Sequence, residues 1–190
     1  MATLMIDFIT SLDGYGAAEG WPGFWGMESP EYLDWLGKQP EHTALLGANT
    51  YRLMSGFADS EEGMDELNRM SKIVFSSTLT EPLAWANTRL VRGDAVEAVR
   101  EIKAETDGEL HTLGSVSLCR SLLDAGLVDR FRVVVFPVIT GATGQERIYD
   151  DYPDVKLEQV ESHAFEGGLQ LLEYVPTVLD GPPNPVDPPS

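Results

Sequence analysis

The chain has a single cysteine, Cys119, among its 190 residues, so it can form no internal disulfide. Cations are scarce as well: 13 Lys and Arg stand against 31 Asp and Glu, a net charge of −18. A field of that sign repels nucleic acid and anionic membrane, and neither is expected as a partner. The same field works against an anionic cofactor, which must then find locally positive backbone ends. No run of 18 apolar residues occurs, so no membrane-spanning helix is expected. The opening MATLMIDFIT carries no basic leader region and no small-residue cleavage site, and a mature cytoplasmic protein is expected.

Several chemistries lack their residues. His42, His111 and His163 are isolated, without metal-ligand spacing. There is no GxSxG nucleophile turn and no GxxxxGK phosphate loop. The zinc-deaminase pattern of His-x-Glu followed by Pro-Cys-x-x-Cys is missing too. GYGAAEG, within the glycine- and aromatic-rich stretch Ser11 to Gly26, has the wrong spacing for a dinucleotide fingerprint, and WPGFWG follows it instead of a helix. Trp21, Phe24 and Trp25 in that stretch suit a wall against a flat ring.

What is present reads as one α/β domain. Hydrophobic residues make up 43% of the chain, enough for a sizeable core. Strand patterns fall at Leu4–Thr10, His42–Gly47, Lys72–Phe75, Thr88–Val91, Glu109–Leu113 and Phe131–Ile139. The last of these is nearly unbroken in β-branched and aromatic residues, as in a strand buried on both faces. Asp7 is the polar exception in the first strand and needs a partner or a site. Helices are expected after Ser29-Pro30-Glu31, from Asn49 to Ser55, after Asp94 with Glu97 as reciprocal cap, and from Ser115 to the Gly126 stop. Asp59 to Glu66 reads as a solvated acidic loop or helix face. Two closing strands, Val155–His163 and Leu169–Val175, flank the turn Phe165-Glu166-Gly167-Gly168 and make an antiparallel hairpin. The domain is expected to span residues 1–176, and residues 177–190, rich in proline, an unstructured tail.

Strands alternating with helices imply a mainly parallel central sheet flanked by helices. Ligands of such sheets sit beyond the carboxyl ends of the strands. Two strand ends there run directly into helix starts, at Gly47 and at Gly114. Each offers free N–H groups and the positive end of a helix dipole, a seat for an anion. An ordinary β–α turn without a ligand is the competing reading. Ser115 is expected to cap its helix, and Cys119 to be a buried core thiol.

LGSVSL followed by LLDAGLVDRFRVVVFPVITG resembles the reductase domain at the C-terminal end of the bacterial riboflavin-pathway deaminase–reductase, and the wider dihydrofolate reductase-like family. DFITSLDGYGA, LLGANTYRLM and SKIVFSSTL agree in the family's order, and with GGLQLLEYVPT the match covers roughly Thr3 to Thr177. The resemblance implies a dihydrofolate reductase-like fold, NADPH as cofactor and often a homodimer. It places the cofactor on Gly47, Asn49 and Thr50, on Gly114, Ser115, Val116, Ser117 and Leu118, and its adenosine end on Ser76, Ser77 and Thr78 with Arg92 nearby. A simple turn is the other reading of the serine cluster. The family often has Arg where this chain has Ala48, which removes a phosphate partner, and a second Gly where it has Ser115.

Glu31 falls about where dihydrofolate reductases place their substrate-binding acid, with Asp13 in SLDG as the second catalytic candidate and Asp34 as a third carboxylate. Burial against aromatics is expected to raise such a pKa and let the group relay a proton. The alternatives are a helix-dipole acid, a turn-forming Asp and a surface residue, respectively. The implied activity is hydride transfer to a small heterocycle. The alternatives are the riboflavin-pathway reductase acting on a ribosylaminopyrimidine phosphate, and a non-catalytic binding protein on the same fold.

Overall fold

The computed structural model describes residues 1–20, 25–57 and 64–183. The main sheet holds eight strands: β1 Thr3–Ser11, β3 Thr43–Gly47, β4 Ser71–Phe75, β5 Thr88–Val91, β6 Glu109–Thr112, β7 Arg130–Phe136, β9 Val155–Ala164 and β10 Gln170–Val178. They lie in the order β5-β4-β3-β6-β1-β7-β10-β9. The first six are mutually parallel, and β10 and β9 add antiparallel strands at one edge. The helices are α1 Pro30–Leu36, α2 Ala48–Phe57, α3 Met64–Arg69, α4 Ala95–Glu105 and α5 Val116–Asp124. The mainly parallel sheet with a terminal antiparallel hairpin is the architecture that the alternation of patterns predicts.

Strand alternation divides the core between two faces. Leu4, Ile6 and Phe8 of β1 pack with Phe131 and Val133 of β7 against Val99 of α4 and Leu118, Cys119, Leu122 and Leu123 of α5. Burial pushes the Cys119 thiol up to about 12, so it is an inert core group, as expected. The opposite face carries two separate clusters. Tyr32 of α1 packs with Val134, Phe136, Phe165, Leu169 and Leu171 over β7 and β10. Tyr51 of α2 packs with Leu46, Val74 and Trp85 over β3 and β4. Between the strands they cover lie β1 and β6, and Ile9 of β1 packs against the first cluster.

Local chemistry fixes the element ends. Ser29 Oγ accepts the Tyr32 amide at 3.2 Å, and Pro30 follows at the first helical position. Asp94 caps α4 through the Val96 and Glu97 amides, but Glu97 turns to Arg100 at 3.5 Å instead of closing the expected reciprocal cap. Gly126 stops α5 at φ 65°, and Leu127 folds back, donating to the Leu122 carbonyl at 3.1 Å. Lys72 is buried within β4. Its Nζ donates to the Leu67 and Met70 carbonyls, meeting the free end of α3, and lies 4.6 Å from the Trp85 ring centre. Burial pushes its pKa down to about 8.

Three expectations are corrected. The strand predicted to reach Ile139 ends at Phe136, because Pro137 lacks a ladder donor, and Ile139 is 71% exposed. The predicted loop 11–26 contains a strand, β2 (Tyr15–Ala18), which pairs with β8 (Gly144–Arg147) and ties the β1 exit to the β7 exit. The end of the acidic segment lies on α3, the helix-face reading of the two; residues 58–63 lie outside the described residues, as do Trp21 and Phe24. The expected domain boundary at 176 falls inside β10, where Thr177 pairs with Lys156, Val178 with Val155, and the Leu179 amide donates to Asp154. Residues 184–190 of the predicted tail lie outside the described residues.

Truncation after Pro176 should therefore destabilise the domain. At about 1 kcal/mol per lost hydrogen bond and about 2–4 °C per kcal/mol for a chain of this size, Tm should fall by roughly 3–8 °C in calorimetry. An unchanged Tm would show that this end of the hairpin adds nothing.

Candidate functional site

β3 and β6 are neighbours, so their two exits meet. The Leu113 amide donates to the Leu45 carbonyl at 2.9 Å, and beyond it Gly114 and Ser115 turn into α5 with φ of 69° and 68°. The Gly47 amide donates to Ser115 Oγ at 2.8 Å, and Thr50 Oγ1 lies 3.1 Å from the same hydroxyl. A Cβ on Gly47 would overlap the Ser115 side chain, and one on Gly114 would stand 3.0 Å from Thr50 Oγ1. Both glycines are thus required by close approach of the two turns, and the two predicted anion seats form a single crevice.

The expected Ser115 cap is not made. Ser115 adopts the left-handed region, whereas a capping residue is extended with its oxygen over the next amides. Its hydroxyl crosses to the neighbouring turn instead. The first-turn amides of α5, at Ser117 and Leu118, therefore have no side-chain cap from Ser115. Of the residues grouped here, Val116 and Leu118 contribute backbone only, since their side chains pack into the core.

At the β4 exit, Ser76 Oγ accepts the Thr78 and Leu79 amides at 3.1 and 3.0 Å, a turn built on the serine itself. Arg92 follows β5 and reaches across to the Ser77 and Leu79 carbonyls at 3.4 and 2.7 Å. Arg52, which the sequence reading missed, donates to Thr78 Oγ1 at 2.9 Å and to Asn49 Oδ1 at 3.2 Å. It lies four residues after Ala48, on the same side of α2. It stands within LLGANTYRLM, and Asn49 orients it.

The two predicted catalytic carboxylates are engaged elsewhere. Glu31 Oε2 accepts the Glu166 amide at 2.8 Å, and Oε1 lies 3.3 Å from His163 Nε2, so it ties α1 to the β9–β10 turn. The Glu166 amide first, then His163, hold its pKa below the usual value. Asp13 Oδ1 accepts Ser11 Oγ at 2.7 Å and the Thr140 amide at 3.1 Å, joining the β1 and β7 exits. The Ser11 hydroxyl is the main cause of its lowered pKa. The expected upward shift occurs in neither, because hydrogen-bond donors outweigh burial at both. Asp34 pairs with Lys38 on the surface of α1.

Asp7 has the partner its position demanded. Arg132 of β7 donates from Nε to Oδ1 at 3.1 Å and from Nη2 to Oδ2 at 2.6 Å. Its Nη1 donates to Gln39 Oε1 at 2.8 Å, and the guanidinium lies 5.0 Å from the Trp35 ring centre. Beside them the His111 ring stacks on His42 at 4.0 Å, and burial first, then His42, push its pKa down to about 4.

A lowered carboxyl pKa contributes stability above the ordinary value of 4.5, and that contribution is lost as pH falls through the folded-state value. Glu31→Gln should therefore lower Tm at pH 7, and the gap to the parent should close progressively below about pH 4.5. Parallel melts across pH 3–7 test this; a gap that does not depend on pH would refute the carboxylate's role at the hairpin.

The model of the RibD C-terminal domain family matches residues 2–171. The uncharacterized protein YyaP of Bacillus subtilis (strain 168) is 22% identical over 178 residues, 90% of this chain and 93% of its own length. A structure assigned provisionally to riboflavin biosynthesis, from Shewanella sp. PV-4, superposes with a TM-score of 0.73 at 21% identity, covering 93% of this chain and 99% of that one. Dihydrofolate reductase from Enterococcus faecalis, complexed with NADP(H), superposes with a TM-score of 0.62 at 16% identity, covering 92% and 96% of the two chains. The parallel sheet, the two glycine turns meeting at its carboxyl end and the family match over most of the sequence lead to one assignment: the chain belongs to the RibD C-terminal domain family and has the dihydrofolate reductase-like fold.

Proposed function

We propose that the protein is an NADPH-dependent reductase acting on a small heterocycle. The observation that carries this reading is the crevice where the β3 and β6 exits meet. Two helix N-termini, of α2 and α5, converge there beside two exposed guanidiniums, Arg52 and Arg92. In a protein of net charge −18 this is a local reversal of sign, and its chemistry suits a pyrophosphate and a ribose phosphate. The first-turn amides of α2, at Asn49 and Thr50, and of α5, at Ser117 and Leu118, would hold the pyrophosphate, with Gly47, Gly114 and Ser115 shaping the crevice. Ser76, Ser77, Thr78, Arg52 and Arg92 would take the adenosine end and its 2′-phosphate. The bound nicotinamide supplies the hydride, and the chain supplies position and field.

Arg52 answers the loss of Arg at Ala48, which was the reason to consider a non-catalytic relative. In this reading Glu31 and Asp13 act by holding the walls of the cleft, through the hairpin and the β7 exit. Cytoplasmic location and a homodimer belong to the same reading. Exposed Leu157 and Val160 on the outer strand β9 offer a second copy an apolar edge.

Two variants test the cofactor seat by nicotinamide fluorescence titration. Arg52→Ala removes one charge-assisted hydrogen-bond donor, worth about 1.5–3 kcal/mol, so NADPH affinity should fall about 10–100-fold. NADH, which lacks the 2′-phosphate, should be unaffected. Equal losses for both would remove Arg52 from 2′-phosphate recognition. Ser115→Asp puts a negative charge into the crevice and should weaken both dinucleotides at least about tenfold, whereas Ser115→Gly, which loses the Gly47 link but adds no charge, should weaken them less. Unchanged binding in Ser115→Asp would remove this crevice from the site.

A further inference from the structure

A second concavity lies at the end of the sheet away from the two glycine turns. It has a volume of about 670 Å³ and sits between the amino ends of β3, β4, β5 and β6 and the last turn of α4. Small-molecule sites typically enclose about 300–1,000 Å³. Ile73 of β4 and Leu110 of β6, both buried, and Ile102 of α4 give this cavity an apolar wall. Val91 of β5 packs against the same core cluster, so Arg89, two residues earlier on the strand, points to the same face. Arg89 and Glu105, the last residue of α4, both line the cavity and are exposed.

The other charged residues along this wall are already engaged. Lys72 gives its Nζ to the Leu67 and Met70 carbonyls. Asp107 holds the Met1 amino group at 2.6 Å, and Glu109 lies 3.1 Å from His111 Nε2. Among the described residues, the Arg89 guanidinium and the Glu105 carboxylate have no hydrogen-bond or ion-pair partner, and they do not pair with each other. Glu105 also stands at the negative end of the α4 dipole, which favours a cation beside it. One cavity thus presents one unmatched charge of each sign next to an apolar wall.

We propose that this cavity is a second ligand site, separate from the cofactor crevice, and that it takes a small zwitterion: a carboxylate on Arg89, an ammonium on Glu105 and an apolar body against Ile73, Ile102 and Leu110. A purely anionic ligand would meet Glu105, and a purely cationic one would meet Arg89. An α-amino acid with a large apolar side chain carries all three features. The inference is independent of the reductase reading, because the cavity lies at the opposite end of the strands from the Gly47 and Gly114 turns.

The test compares three probes with one ring system on the full chain. L-tryptophan carries both charges, tryptamine only the ammonium, and indole-3-propionate only the carboxylate. Chemical-shift titration follows the Ile73 and Ile102 methyl signals. L-tryptophan should bind about threefold to fivefold more tightly than either analogue, as one exposed ion pair allows. Arg89→Gln should weaken L-tryptophan and indole-3-propionate by a similar factor and leave tryptamine unchanged. Glu105→Gln should weaken L-tryptophan and tryptamine and leave indole-3-propionate unchanged. Both side chains are exposed and unpaired, so neither substitution disturbs a contact of the fold. No shift at Ile73 and Ile102 with any probe, equal affinity for L-tryptophan and either analogue, or unchanged L-tryptophan affinity in either variant would each overturn the proposal. Titration is repeated with saturating NADPH. Unchanged L-tryptophan affinity supports a separate site, and competition between the two overturns it.

Discussion

The hydrogen bond from the Gly47 amide to the Ser115 hydroxyl is the contact on which the geometry of the site depends. It joins two turns that belong to neighbouring strands but lie 68 residues apart in sequence. Once they are joined, the N-termini of α2 and α5 face one space. The left-handed conformation at Ser115 costs of order 1–3 kcal/mol, and the bonds to Gly47 and Thr50 help offset it. A residue without a hydroxyl would keep the strain and lose the link, and a glycine would relieve the strain but leave the turns joined only by packing. The serine is thus a structural compromise between these two.

Much of the fold is legible in the sequence because its signals are local. The unbroken run after Arg130 identifies a central strand, Ser29-Pro30 begins a helix, and Gly126-Leu127 ends one. The meeting of the Gly47 and Gly114 turns is legible only through the general rule that ligands sit at the carboxyl ends of parallel strands. Ser115 shows where local reading fails. A serine before a helix is a cap by composition, but here its backbone is left-handed and its partner comes from another strand. Arg52 was missed for a related reason: only the fold brings α2 beside the Thr78 loop, where its guanidinium finds a partner. Glu31 was placed correctly at the start of α1, but the amide and imidazole that receive it come from the far end of the chain. The end of β10 was missed because Pro176 reads as a breaker, whereas an outer hairpin accepts it.

The distribution of positive charge follows a simple division. Lys72 and Arg132 are buried and fully engaged, one on helix carbonyls and a tryptophan ring, the other on Asp7 and Gln39. Arg52 and Arg92 remain exposed, with hydrogen bonds only to a hydroxyl, a side-chain amide and two carbonyls. These acceptors are neutral, so neither arginine is neutralised by an acid among the contacts described. In an acidic protein, that leaves the β4 and β5 exits as a place of locally uncompensated positive charge.

The position of β1 also bears on how the chain is made. β1 is made before the other strands of this sheet and becomes the fifth of eight, with β6 and β7 as its neighbours. Its Leu4 amide is held by Asp129, 125 residues away, and its Asp7 amide by Thr112, 105 residues away. The strand therefore has no lasting partner until most of the chain has been synthesised. Contacts of such long range fold slowly and leave apolar segments exposed meanwhile. Leu4, Ile6 and Phe8 are the residues exposed meanwhile, and Asp7 puts a charge between Ile6 and Phe8, the kind of interruption that disfavours self-pairing of an apolar strand.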